Sequence, residues 1–424
     1  MVEIFDHFFL YLYFYHKYDY NNVNKGKKKM KYLKRLFIIL TIFSLSFLVC
    51  CGDDKPVEEP KPTYTLTFDL DGGAFTTEVS LTYQDGNEYV LPTPTKKGYE
   101  FSGWKEVLED NSLSTYEVTF LNNRDYHLKA TWEKVYKADE LNDLYTISKR
   151  TVKNVIYKTV LNKELKMDIY LPAMKTGEKY PVLFFFFGGG WFMGDKSYIS
   201  YYSAVLKDLN AEGFIVVAPD YRLVNTSGDT HYPLPVEDCF DAIRYVVKYQ
   251  NELHADVNNM GAFGHSAGGY FSLMAAFAQD HFKGDASLKD YNFKLKYAIA
   301  LAAPSVYDEE SLSHISLTGL SMLSGYFGTT DLHSQDFSNA FPGYYVKENN
   351  PKVYLVHGMA DDLVPISQSE LFYELANAEG LDVIIEKIPH ADHTFDPETG
   401  YESSVRADYN ACSKRIRDFI ISQK

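Results

Sequence analysis

One serine in this chain stands where a serine can act as a nucleophile. Gly264-His265-Ser266-Ala267-Gly268-Gly269 follows a short apolar run, residues 260–263, and opens a helix-like run, residues 267–278. At a strand-to-helix junction this Gly-x-Ser-x-Gly pattern makes a sharp turn: the glycines remove Cβ atoms that would collide, and the hydroxyl stands clear above the sheet. Attack on an ester leaves an oxyanion that needs hydrogen-bond donors. Gly188-Gly189-Gly190-Trp191 follows the apolar run 182–187 and leaves backbone N–H groups uncovered by side chains. Three successive glycines cost conformational entropy and are a poor choice for a purely structural loop. The serine also needs a base, and the base an orienting carboxylate. Asp361 and Asp362 follow the run 353–357, and His390 and His393 follow the run 383–388, so either acid and either histidine fits the order serine, acid, histidine.

Elements that hold such residues in register are legible around them. Strand-like runs occur at 165–171, 182–187, 214–218, 260–263, 297–301, 353–357 and 383–388, with helix-length segments at 200–210, 236–249, 267–278, 367–376 and 403–421. Short apolar runs alternating with helices predict an α/β domain with a mostly parallel sheet covered on both faces, here assigned to residues 151–424. Cys239 and Cys412 sit within helix-like patterns and read as small core residues, not as a disulfide.

In residues 188–195, 218–223, 232–238, 264–269, 357–365 and 391–395 this domain resembles the α/β-hydrolase esterases of the hormone-sensitive-lipase-like and bacterial feruloyl/acetyl esterase groups. The resemblance implies a catalytic triad of Ser266, Asp361 and His393, with the amides of Gly189, Gly190 and Ala267 as oxyanion donors and no cofactor. Its Gly-x-x-Asp-x-x-Val-Pro pattern selects Asp361 over Asp362, and relatives tend to carry glycine at the place of His390. A serine esterase acting on acetyl or feruloyl groups of polysaccharides is the expectation; a peptidase of the same fold and a non-catalytic adhesin are the alternatives. One departure is Phe187, where the family usually has a histidine that braces the glycine loop. Trp191, Phe192 and Met193 are expected to wall an acyl pocket, and residues 307–347 to form a lid or recognition element. Asp220 and Arg222 read as a buried pair, Glu237 and Asp238 as first-turn acids, and a metal site at His390, Asp392 and His393 lacks a further ligand cluster.

Upstream, Tyr64, Leu66, Phe68 and Leu70 alternate with polar residues into Asp71-Gly72-Gly73, and Leu91-Pro92-Thr93-Pro94-Thr95 and Gly98-Tyr99-Glu100-Phe101-Ser102-Gly103-Trp104 precede a closing run, 128–132. This stretch, residues 63–134, resembles the Listeria/Bacteroides-type repeat, a small β-grasp-like module. Trp104 and Trp132 are expected in its core, and residues 135–150 as a linker.

The N-terminus reads as an address. Lys31, Lys34 and Arg35 precede the uncharged stretch 36–49, which ends in Cys50-Cys51-Gly52. A basic n-region and an apolar region too short to span a bilayer comfortably predict a signal segment over residues 1–51. The Leu48-Val49-Cys50-Cys51 end resembles a lipobox with Cys51 lipidated, Cys50 being the alternative. Residues 1–29 fit no signal pattern, so Met30 is the expected start, and residues 52–62 form a polar tether. An extracytoplasmic, membrane-anchored protein follows as an expectation. Residues 52–424 carry 34 basic against 54 acidic residues, a net of −20, which argues against nucleic acid as a partner.

Overall fold

The structure is a computed structural model describing residues 61–84, 89–137, 140, 151–206, 208–224, 230–306, 315–328, 337, 339–349 and 351–424. The expected leader and tether, including Cys51, lie outside the described residues. No helix among the described residues is long and apolar enough to cross a membrane.

The first module is a four-stranded sheet of β1 (Thr63–Asp69), β2 (Thr82–Gln84), β3 (Tyr99–Glu106) and β4 (Tyr126–Lys134), in the order β2-β1-β4-β3. β1 and β4 run parallel, and both outer pairs are antiparallel. The alternation in β1 and β4 puts Leu66, Tyr126, Leu128 and Ala130 into one core with Trp104. The Trp104 indole N–H donates to the Pro92 carbonyl at 2.9 Å and that of Trp132 to the Leu70 carbonyl at 3.1 Å, so both indoles tie strands to neighbouring turns. No helix lies among the described residues of this module. Part of the expected linker is ordered: the Tyr136 amide donates to the Asn154 carbonyl, and the Tyr136 carbonyl accepts from the Ile156 amide.

The second module contains β5 (Thr151–Val160), β6 (Lys163–Tyr170), β7 (Tyr180–Phe186), β8 (Ile215–Pro219), α1 (Leu234–Lys248), β9 (Ala255–His265), α2 (Ala267–Phe277), β10 (Tyr297–Leu301), α3 (Leu317–Phe327), β11 (Lys352–Gly358), α4 (Ser367–Ala378), β12 (Val383–Ile388) and α5 (Glu402–Ser422). Its eight strands form one sheet in the order β12-β11-β10-β9-β7-β8-β6-β5, antiparallel at β5, β6 and β8 and parallel from β8 through β7 to β12. β7, β8 and β10 are buried along their whole length, which explains why they read as unbroken apolar runs. This is the α/β-hydrolase fold, and it brings the C-terminal ends of β7, β9, β11 and β12 to one edge of the sheet.

β5 was not anticipated, because Lys153, Asn154 and Lys158 interrupt its apolar pattern. The Lys158 ammonium is buried against the carboxylates of Asp238 at 2.8 Å and Asp241 at 2.7 Å, whereas Lys153 is exposed and pairs with Glu133 at 2.9 Å. The same network corrects the expected Asp220–Arg222 pair. Arg222 forks onto Asp238 at 2.7 and 2.8 Å, whereas Asp220 accepts from the Lys196 amide and ammonium. The two side chains leave the extended segment after β8 toward different partners. The helix expected over 200–210 is instead a 3₁₀ turn, Lys196–Tyr202, capped by Asp195, followed by a single α turn, Ser203–Leu206. Cys239 and Cys412 are buried free thiols.

Candidate active site

Ser266 ends β9 and opens α2 with φ 55° and ψ −123°, a strained conformation for a residue with a side chain. What holds it there is close backbone packing. A Cβ on Gly264 would lie 2.3 Å from the carbonyl carbon of Gly268, and one on Gly268 would lie 2.0 Å from the Phe186 carbonyl oxygen. The Ser266 amide donates to the Leu301 carbonyl of β10 at 2.7 Å, clamping the turn across the sheet.

The hydroxyl meets its partners through residues distant in sequence. The Ser266 Oγ lies 2.9 Å from His393 Nε2, and His393 Nδ1 lies 2.7 Å from Asp361 Oδ2. All three side chains are buried or nearly so. Asp361 Oδ1 accepts from the amides of Leu363 at 3.0 Å and Val364 at 2.9 Å, so the turn after β11 orients the carboxylate. Burial pushes the Asp361 carboxyl up, but attraction to His393 and the hydrogen bonds from His357 and His393 outweigh it and hold it well below the usual carboxylate range. Asp361 therefore stays ionised at neutral pH. His390 is turned elsewhere: its ring stacks on Tyr401 at 3.5 Å and its Nδ1 faces Glu398 at 2.7 Å.

Two further histidines brace this chain of hydrogen bonds, and both went unrecognised in the sequence. His265 is buried and its Nε2 lies 2.7 Å from the His393 carbonyl; a carbonyl only accepts, so the ring donates from Nε2. Burial, and secondarily repulsion from His393, pushes the His265 imidazole down to about 3. His357, at the end of β11, places Nε2 3.1 Å from Asp361 Oδ2. A histidine inside a two-faced buried strand was the available signal for His357, and the residue before Ser266 the signal for His265.

The glycine loop curls beside the serine. Gly189 and Gly190 have φ 116° and 60°, and Trp191 φ 68°. Among the described residues no group accepts a hydrogen bond from the amides of Gly189, Gly190 or Ala267. Phe187 braces this loop by stacking on Tyr221 at 4.1 Å, and the Tyr221 hydroxyl donates to the Phe187 carbonyl at 2.9 Å. A buried aromatic stack thus occupies the place where the resemblance led to the expectation of a histidine.

A narrow cavity of about 30 Å³ opens at Ser266, walled by Gly190, Trp191, Ile315, Met322, Phe341 and Leu363 among others. Trp191 is packed flat on Tyr326 of α3 at 4.3 Å. Phe192 and Met193 are not among its walls: Phe192 lies against Gly325, and Met193 turns back so that its amide donates to the Gly189 carbonyl. The left-handed turn at Trp191 is the reason, because it sends successive side chains to different sides. Of the expected lid, residues 307–314, 329–336 and 338 lie outside the described residues, whereas α3 and Phe341 form walls. Two buried donors belonging to wall residues, Trp191 Nε1 and Gln368 Nε2, have no acceptor among the described residues. A larger groove, about 630 Å³, lies on the first module among Tyr83, Tyr89, Phe101 and Phe120, and Glu117 is the one carboxylate on its described walls.

Comparison with known proteins agrees with this architecture. Residues 167–375 match the BD-FAE family model, and residues 64–130 match the Listeria-Bacteroides repeat domain. Esterase LipC of Mycobacterium tuberculosis is 26% identical over 237 residues, covering 54% of this chain and 57% of LipC. Arylacetamide deacetylase of Oryctolagus cuniculus is 28% identical over 145 residues, covering 34% of each chain. The chain thus spans little more than half the length of LipC and about a third of the deacetylase. Among solved structures, a truncated carbohydrate esterase from gut microbiota superposes with TM-score 0.53 at 20% identity, covering 65% of this chain and 96% of that one. Propionate-bound esterase Est2 of Thermogutta terrifontis superposes with TM-score 0.50 at 23% identity, covering 64% and 94%. At these identities both likenesses speak for the α/β-hydrolase fold alone.

Proposed function

We propose that this protein is a serine carboxylic ester hydrolase acting on short acyl groups. The observation that carries the reading is the unbroken hydrogen-bond chain from Ser266 through His393 to an ionised Asp361. In this reading Ser266 Oγ attacks the ester carbonyl while His393 Nε2 takes its proton. The amides of Gly189, Gly190 and Ala267 receive the oxyanion. Collapse expels the alcohol, which takes the proton back from His393, and water then releases the acid by the same steps in reverse order. Asp361 holds the ring with Nδ1–H toward it and stabilises the imidazolium. Esterase relatives and the BD-FAE match over residues 167–375 support the reaction class.

The cavity at Ser266 supports the acyl size. The narrow, mostly apolar walls around Ser266 suit a small acyl group better than a feruloyl ring. Acetyl groups carried on saccharides are the substrates this reading favours. Met322 packs against Gly190 in the cavity wall: a Cβ on Gly190 would lie 2.8 Å from its sulfur. We further propose that Cys51 carries a lipid anchoring the chain at the cell envelope, with residues 63–134 as a spacer.

The test is a series of p-nitrophenyl esters from acetate to octanoate, with a feruloyl ester and acetylated oligosaccharides alongside. Wild type should favour acetate. Met322→Ala should move the preference toward butyrate by about tenfold, the worth of roughly two buried methylenes. A wild-type preference for octanoate or feruloyl esters would sink the acyl-size argument, and fluorophosphonate labelling of Ser266→Ala would sink the serine mechanism.

A further inference from the structure

Four donors converge on the Asp361 carboxylate, and one of them has no place in the mechanism above. Oδ1 takes two backbone amides, and Oδ2 takes His393 Nδ1 at 2.7 Å and, at 3.1 Å, Nε2 of a second imidazole, His357. His357 is fully buried at the end of β11. Its Nε2 also lies 2.9 Å from the Val364 carbonyl, and its Nδ1 lies 2.7 Å from the hydroxyl of Ser369 on α4.

These contacts settle where the proton sits. The Val364 carbonyl can only accept, so Nε2 carries the hydrogen and shares it between Val364 and Asp361. Nδ1 is then free to accept from the Ser369 hydroxyl, itself buried. The ring is gripped at both nitrogens, and from Nε2 it donates to the same oxygen that holds His393.

We propose that His357 is a positioning residue that sets how strongly Asp361 attracts His393. A carboxylate oxygen that accepts two hydrogen bonds shares its charge between them and pulls less on each donor. With His357 in place, Asp361 orients His393 without over-stabilising the imidazolium, so the base gives its proton back to the departing alcohol. Without that donor, Oδ2 would bind the protonated His393 more tightly, and less acidic solution would find the base already protonated. The titratable groups facing the pair are His357 from β11 and His265 from β9, and His265 is held neutral by its own burial and by repulsion from His393. The inference rests on the serine-hydrolase reading but has a separate readout.

The experiment compares His357→Met, which fills the space without a donor, with His357→Gln, whose amide nitrogen can reach the position of Nε2. The pH dependence of kcat/KM on p-nitrophenyl acetate is measured in the full chain. His357→Met is expected to lower kcat about tenfold and to move the acid limb up by about half a pH unit or more. His357→Gln should restore most of both. Ser369→Ala, which frees the tautomer while leaving the ring in place, should move the limb in the same direction by less, and serves if the methionine variant does not fold. The proposal is overturned if the acid limb stays in place in His357→Met, or in Ser369→Ala when the methionine variant does not fold, while only thermal stability falls. It is equally overturned if His357→Gln behaves like His357→Met. An active Ser266→Ala would instead overturn the reaction class and leave no triad for His357 to tune.

Discussion

His265 should make this protein lose stability in mild acid, over a range where the Asp361 carboxylate is still ionised. The imidazole is buried, donates to the His393 carbonyl at 2.7 Å, and titrates near 3 in the folded chain, against about 6.5 when unfolded. Between those values the unfolded chain binds the proton and the folded chain does not, so unfolding is favoured as pH falls from 6.5 toward 3. Between pH 7 and pH 4.5 the cost is about 2.5 kcal/mol, at roughly 1.4 kcal/mol per unit of separation below the unfolded value. Asp361 has the same sign in a lower window: its carboxyl is depressed, so its contribution is present above the unfolded carboxylate range and is lost only as pH falls below it. The two effects therefore occupy different windows. Guanidinium unfolding followed by tryptophan fluorescence at pH 7, 6, 5 and 4.5, on wild type and His265→Gln, measures the difference. Glutamine keeps a donor and does not titrate, so the variant should lose about 2.5 kcal/mol less than wild type over this range. Equal pH slopes for the two proteins would refute the argument that burial keeps His265 neutral.

Three other outcomes follow from the same geometry. Ser266→Ala and His393→Ala should each reduce kcat about 10⁴-fold or more, and the double variant scarcely further, since the residues serve one step; Asp361→Asn should cost about 10³-fold or more and Asp362→Asn no more than about tenfold in the same ester assay. Gly268→Ala should abolish fluorophosphonate labelling of an intact Ser266, because its Cβ would meet the Phe186 carbonyl oxygen at 2.0 Å and backbone cannot swing aside as a side chain does; normal labelling would contradict the packing account of the elbow. Cys51→Ser should release the chain from the membrane fraction, and intact mass of a mature chain without lipid would remove the proposed anchor.

Much of the site was readable before any coordinates because local sequence dictates local backbone. Gly264 and Gly268 mark a turn whose packing admits no Cβ, and the apolar runs mark strands buried on both faces, so Ser266, the glycine loop and the order of β6 to β12 could be written from the chain alone. The choice of Asp361 over Asp362 also followed from a short pattern, since the amides of Leu363 and Val364 that orient the carboxylate are two and three residues away. Phe192 and Met193 were misplaced because a single left-handed residue, Trp191, redirects the side chains after it, and spacing in sequence carries no sign of that. β5 was missed because Lys158 reads as exposed until Asp238 and Asp241, some 80 residues later, come to pair with it. The same holds for His265 and His357. A histidine in an apolar run looks like a tolerated core residue, and only the sheet that sets the ends of β9, β11 and β12 along one edge brings one ring to the His393 carbonyl and the other to Asp361. Residue types and short spacings determined which chemistry this chain can attempt; long-range packing of strand ends decided which groups surround the reacting atoms, because hydrogen bonds between residues 128 apart have no local signature.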